Sequence, residues 1–292
     1  MGLDHIVIMI FVVTLLYNVY WSMSILKYFL EYMVERDSMC KKSVASILVS
    51  AIVFSGSVYA DVNKTSVDLG YKFYTSDTKN DNPGVFNQPF VKLNHLGIAD
   101  WGTYFANLKL ENPAEIAENQ KHLDGKTTIK SLLILENKLG ESQFNFWTQN
   151  FISASETLVE DNLYLGVTHN AKIQNLSLNY GVGLNYTIGS FSPTSEKFND
   201  LSGYAVVLNA KYPFELLGFK HSLSLNYEAQ IDRDEAHQAL FSYDSYGHQI
   251  ITTLQTGFTD SIFSKLYITH YDSWGSQYND GIEYGISVGY QF

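Results

Sequence analysis

The last twelve residues restrict the fold more than any other part of the chain. Ile282, Tyr284, Ile286, Val288, Tyr290 and Phe292 alternate with Gly281, Glu283, Gly285, Ser287, Gly289 and Gln291. Side chains on a β-strand point alternately to its two faces. One face of this segment is therefore apolar and aromatic, and the other is polar or bare. Leu176 to Ile188 repeats the pattern, as does Ser222 to Ile231.

Alternation also suits a soluble sandwich, whose apolar faces meet in a dry core. Two features favour a closed barrel in a membrane. The polar set is Ser, Asn, Gln, Gly and Glu, and each unpaired polar group in a dry interior costs roughly 1–3 kcal/mol. A wet lumen removes that cost, and the apolar face then meets lipid. Tyrosines also recur toward the segment ends, as interfacial girdles require. Hydrocarbon admits β-structure only as a closed barrel, because an open edge leaves backbone groups unpaired.

The expected fold is all-β: a closed antiparallel transmembrane barrel of about twelve strands, with ten to fourteen in range. The segments lie near 65–75, 87–97, 101–110, 126–137, 142–152, 161–170, 174–188, 201–213, 219–231, 246–258, 262–272 and 280–292. Short turns are expected near residues 139–142 and 259–261. Longer links are expected at 75–89, 112–126, 190–200 and 232–247. Short periplasmic turns alternating with longer extracellular loops are usual for such barrels.

The long apolar runs all precede residue 60. Met39, Cys40, Lys41 and Lys42 form a short basic start, an apolar stretch follows, and Val58, Tyr59 and Ala60 end in a small residue. This reads as a secretory signal peptide over residues 39–60, cleaved between Ala60 and Asp61. Residues 1–38 read as an upstream extension, with a membrane anchor as the competing account. Residues 61–292 form the barrel. Its 15 basic and 26 acidic residues leave a net charge of −11 with no basic stripe, which argues against nucleic acid as a partner. Cys40 lies in the signal region, so the mature part has no cysteine for disulfides, zinc or nucleophilic chemistry. No cofactor, metal cluster or catalytic constellation is expected, and the chain does not read as an enzyme. His95, His169 and His270 fall on the apolar phase, where an interfacial position suits them.

Asp100-Trp101-Gly102-Thr103-Tyr104-Phe105, followed by a strand and Asn112-Pro113, resembles an early segment of the Tsx/OmpK family. Tyr271-Asp272-Ser273-Trp274-Gly275-Ser276-Gln277-Tyr278-Asn279-Asp280 is similar to the last hairpin of that family. The chain closes, as many barrels do, on a terminal aromatic signature, Tyr290 and Phe292, which the barrel assembly machinery reads. The resemblance implies nucleoside-specific outer-membrane channels that work by passive diffusion. It places the protein in the Gram-negative outer membrane, reached through the periplasm, with lipid and nucleosides or similar small solutes as partners. The exposed loops are then candidate phage or toxin receptors. Residues 114–160 carry no matching motif.

Inward aromatics can stack on a base at about 1–3 kcal/mol, and polar groups can bond its edge and the ribose. The inward candidates are Phe105, Asn107 and Lys109 on the third strand and Asn226 and Glu228 on the ninth. Lys265 and Tyr267 on the eleventh and Glu283 on the last complete the set. A general or differently selective porin, and a non-conducting structural or adhesin barrel, share the same fold and differ only in the lumen.

Overall fold

The computed structural model describes residues 61–113 and 127–292. Residues 1–60, with the expected extension, signal peptide and cleavage site, lie outside the described residues. Twelve strands run in chain order: β1 (Val62–Tyr74), β2 (Gln88–Ala99), β3 (Gly102–Glu111), β4 (Thr128–Lys138), β5 (Phe144–Ala154), β6 (Leu158–Ile173), β7 (Leu176–Phe191), β8 (Glu196–Leu216), β9 (Phe219–Ile231), β10 (Gly247–Gly257), β11 (Ile262–Asp272) and β12 (Gly281–Gln291). Each pairs antiparallel with the next, and β1 pairs with β12 to close the barrel. Closure leaves no open edge, as a bilayer demands.

The outer face carries the apolar phase. Leu69 is 61 % exposed, Val182 56 % and Val288 55 %. Their strand neighbours Asp68 and Ser287 are buried inside. Exposed side chains of this kind on every other position form the surface that hydrocarbon covers. Among the described residues no helix is long and apolar enough to cross a membrane; the strands do the crossing.

The two ends of the barrel differ. At one end lie the N-terminus of β1, the C-terminus of β12 and five turns: residues 100–101, 139–143, 174–175, 217–218 and 258–261. The 217–218 turn places both residues at positive φ, Leu217 at 53° and Gly218 at 78°. Such two-residue turns match the right-handed twist of a hairpin. The other end carries, among the described residues, 75–87, 112–113, 127, 155–157, 192–195, 232–246 and 273–280. By the rule of short periplasmic turns, this second end faces outward from the cell.

One expected loop is absent. Residues 190–200 read as a long link, but β7 runs to Phe191 and β8 starts at Glu196, so only residues 192–195 turn. Here the apolar phase inverts: Phe191 and Phe198 pack inward with Leu240, Phe241 and Tyr243, while Lys197 and Asn199 are exposed, so the lipid-facing alternation does not continue. β8 also carries a bulge: its pairing with β7 shifts register between Leu184 and Tyr186. Gly203 sits there at φ +71°, and a Cβ would lie 2.1 Å from the Ile231 carbonyl oxygen. The bulge lets Leu201 and Tyr204 both face outward while Ser202 is fully buried.

Among the described residues two short helices belong to the outer loops. Helix α1 (Ser76–Asp81) is capped by Thr75, whose Oγ1 accepts from the Thr78 N–H at 3.1 Å. Helix α2 (Glu235–Phe241) is capped by Asp234, which accepts from the Ala236 N–H at 2.8 Å.

Candidate functional site

Four lumen-facing glycines prepare the wall. Gly281, Gly285 and Gly289 on β12 lie directly opposite Tyr271, Tyr267 and Phe263 on β11. A Cβ on any of the three would overlap the opposing aromatic side chain, at 2.5 Å or closer. Gly70 on β1 receives the ring of Phe90 from β2 in the same way. With no side chain beneath them, the rings lie flat against the backbone and leave the centre open. Phe90 and Tyr267 meet at the seam, their centroids 6.3 Å apart.

The charged groups on this side are interlocked. Lys72 is buried and reaches Glu111 Oε2 at 3.0 Å and Glu283 Oε2 at 3.4 Å, and donates to the Tyr74 hydroxyl at 2.8 Å. Glu111 also holds Lys109 at 2.7 Å and Lys130 at 3.4 Å. Nearer the other end, Lys265 binds Asp68 at 2.6 Å. On the opposite wall, Glu228 accepts from Gln149 at 2.9 Å and Gln249 at 3.2 Å. Burial of a carboxylate is tolerable only with such partners.

These walls enclose a cavity of about 510 Å³, within the ~300–1,000 Å³ of small-molecule sites. All eight inward candidates line it: Phe105, Asn107, Lys109, Asn226, Glu228, Lys265, Tyr267 and Glu283. Their shared phase and the barrel's closure bring them together from β3, β9, β11 and β12. Among the described residues no cluster of side chains could hold a metal ion.

The outer mouth is narrowed by residues 273–280, of which Trp274, Gly275 and Gln277 line the cavity. This loop is fastened from both sides. Trp274 and Gln277 exchange backbone hydrogen bonds at 2.8 and 3.2 Å. Asn82, just past α1, accepts from the Asn279 N–H at 3.1 Å and donates to the Asp280 carbonyl at 3.2 Å. From the loop carrying α2, the Tyr243 hydroxyl accepts from the Ser276 N–H at 2.5 Å and donates to Glu160 at 3.0 Å. Burial and the nearby Glu160 push the Tyr243 phenol well above its usual range, so it keeps that proton. Arg233 lies 4.6 Å from the Tyr243 ring centroid and 5.7 Å from that of Trp274.

The α2 loop is itself anchored by the bulge. Ser202 Oγ lies 2.6 Å from His237 Nδ1 and accepts from the Asp234 N–H at 3.1 Å. His237 is fully buried, and its Nε2 has no hydrogen-bond partner. Burial, reinforced by the positive charge of Arg233, lowers its pKa from 6.5 to about 3. The ring is therefore neutral at ordinary pH.

A barrel closed by pairing of its first and last strands, with a lumen of rings and charges, leaves the family open until the whole sequence is compared. The model of the family described as nucleoside-specific channel-forming protein, Tsx, matches residues 69–292. The chain belongs to this family. It is an outer-membrane channel of the Tsx family, and its outward apolar belt lies in the Gram-negative outer membrane. No curated protein matches the sequence. Among solved structures this Tsx-family chain is similar to the KdgM porin in complex with disordered oligogalacturonate, at 14 % identity and TM-score 0.43, covering 78 % of this chain and 99 % of that one. It is similar to the NanC porin at 11 % identity and TM-score 0.45, covering 77 % and 98 %. It is also similar to an outer membrane channel from Pseudomonas putida F1, at 11 % identity and TM-score 0.46, covering 80 % and 98 %. Likenesses this distant carry nothing about the solute.

Reading the Tsx-like sequence by strand phase left out several lining residues. Asp68, Phe90, Lys92, Glu111 and Lys130 share the inward phase of β1 to β4, so that signal was present. Trp274 had no such signal, because it reaches the lumen from a loop. The three histidines on the apolar phase find ring or hydroxyl neighbours. His95 lies 3.0 Å from the Tyr104 hydroxyl, His169 packs on Phe144 and Tyr180, and His270 packs on His248.

Proposed function

We propose that this channel conducts nucleosides by passive diffusion, and that Phe105 and Tyr267 supply the surfaces on which the base rests. The observation that carries this reading is one cavity in which aromatic faces and amide or charged groups share the wall. Phe90, Phe105, Phe151 and Tyr267 offer apolar faces, while Asn107, Asn226, Gln249 and Glu228 offer donors and acceptors. A nucleoside has the same two characters, a flat apolar base and a rim of polar atoms. Stacking worth about 1–3 kcal/mol per base is weak enough for release, as conduction requires. The family membership supports the same reading.

The test is conductance of the purified barrel in planar bilayers, titrated with uridine and adenosine. Nucleosides should reduce the ion current in a saturable way, and Phe105→Ala or Tyr267→Ala should raise the half-blocking concentration several-fold. A current indifferent to nucleosides makes the protein a general channel. No current from correctly folded protein makes it a closed barrel.

A further inference from the structure

Three lysines of the lumen stand in a row. Lys92 on β2 is directly opposite Lys109 on β3, and Lys109 is directly opposite Lys130 on β4. Like charges directly opposite one another destabilise a sheet, so a row of three needs compensation. Only part of it is present. Glu111 reaches Lys109 and Lys130 but also serves Lys72. Asp68 is the register partner of Lys92, yet its carboxylate is taken by Lys265 at 2.6 Å. Lys92 itself has no ion pair among the described residues, and it lines the cavity.

The surrounding charges leave this wall positive. Of the side chains that line the cavity from β1 to β4, β11 and β12, the cations are Lys92, Lys109, Lys130 and Lys265, with buried Lys72 bonded beside them, against the carboxylates of Asp68, Glu111 and Glu283. The facing wall holds Glu228 on β9, six strands away around the ring of twelve from β3. A solute in this cavity therefore lies between a positive wall and a negative one. An anionic group would be drawn to the lysine side, where low-dielectric walls focus the field. Phe90 and Phe105 sit on the same strands as Lys92 and Lys109, within the same cavity.

We infer that Lys92, Lys109 and Lys130 form an oxyanion subsite that takes the phosphate of a phosphate monoester, with Lys92 the decisive member. For a nucleoside 5′-phosphate this rests on the nucleoside reading for the ring, and on the lysine row alone for the phosphate. The subsite gives the channel a preference for the phosphorylated over the neutral solute, and for chloride over potassium.

Planar-bilayer conductance with three probes tests this: uridine, uridine 5′-monophosphate and inorganic phosphate. The monophosphate should block at least tenfold more strongly than uridine. Lys92→Gln should reduce that advantage to less than threefold and move the reversal potential in a KCl gradient toward potassium. Lys92→Arg, which keeps the charge, should retain both properties, and retention of its heat-modifiable gel mobility establishes that each variant has folded. Block by the monophosphate and by phosphate, but not by uridine, would sink the nucleoside reading and leave the oxyanion subsite standing. Equal block by uridine and its monophosphate in the unaltered protein overturns the subsite, as does an undiminished phosphate advantage in Lys92→Gln.

Discussion

Gly285→Ala should drive the Tyr267 ring off the wall and into the lumen. The added Cβ would lie 1.9 Å from Tyr267 Cζ and 2.1 Å from Cε1. Ordinary contact begins at 3.4 Å, so about 1.5 Å must be found. The backbone cannot supply it, because Gly285 is paired with Lys72 on one side and Tyr267 on the other. The ring has free space only toward the cavity. Forcing a side chain from a well-packed position costs about 1–3 kcal/mol. Reversible urea unfolding in lipid vesicles should show that loss, and single-channel conductance should fall as the ring narrows the passage. The decisive arm is the double-mutant cycle with Tyr267→Ala. With the ring removed the methyl loses its three nearest contacts, so Gly285→Ala should then cost under about 0.5 kcal/mol, a coupling of about 0.5–3 kcal/mol. Additive effects would show that the ring does not lie on the glycine, and the account of the wall would fail with it.

Glu111→Gln leaves Lys72, Lys109 and Lys130 without their shared carboxylate; uncompensated buried charge should lower stability by about 3–5 kcal/mol, read as an earlier urea midpoint. His237 ties stability of the outer loop to pH. The unfolded ring takes a proton near pH 6.5 and the folded one only near pH 3. Between those values the unfolded chain holds the extra proton, so stability is full above pH 6.5 and falls as pH drops toward 3. Protease cleavage within residues 232–246 should accelerate from pH 7 to pH 4.5, and His237→Gln should flatten that dependence. Trp274→Ala should widen the outer mouth and raise single-channel conductance; an unchanged value would place the constriction elsewhere.

The barrel was legible because lipid outside and water inside impose a two-residue period. The alternation of Gly281 to Phe292 marks one strand and both its faces, and β12 runs as that pattern required. Even the poorly alternating residues 126–152 form β4 and β5 in their expected places. The failure at residues 190–200 has the same cause: there the β7–β8 hairpin turns its apolar side chains, Phe191 and Phe198, inward onto α2, so the lipid-facing period stops. Phase also brought eight side chains from four strands to one cavity. It could not reveal that Asp68 would leave Lys92 for Lys265, since that choice depends on reach across β12, not on period. Nor could it find Trp274, whose place depends on Asn82 and Tyr243 holding its loop from either side.

That fastening makes residues 273–280 a standing jamb of the entrance. Asn82 grips one flank and Tyr243 the other, so among the described residues this side of the aperture is a rigid frame. Past such a frame, throughput falls as each molecule lingers longer on the walls, and a change of cargo can be met by new furnishings within.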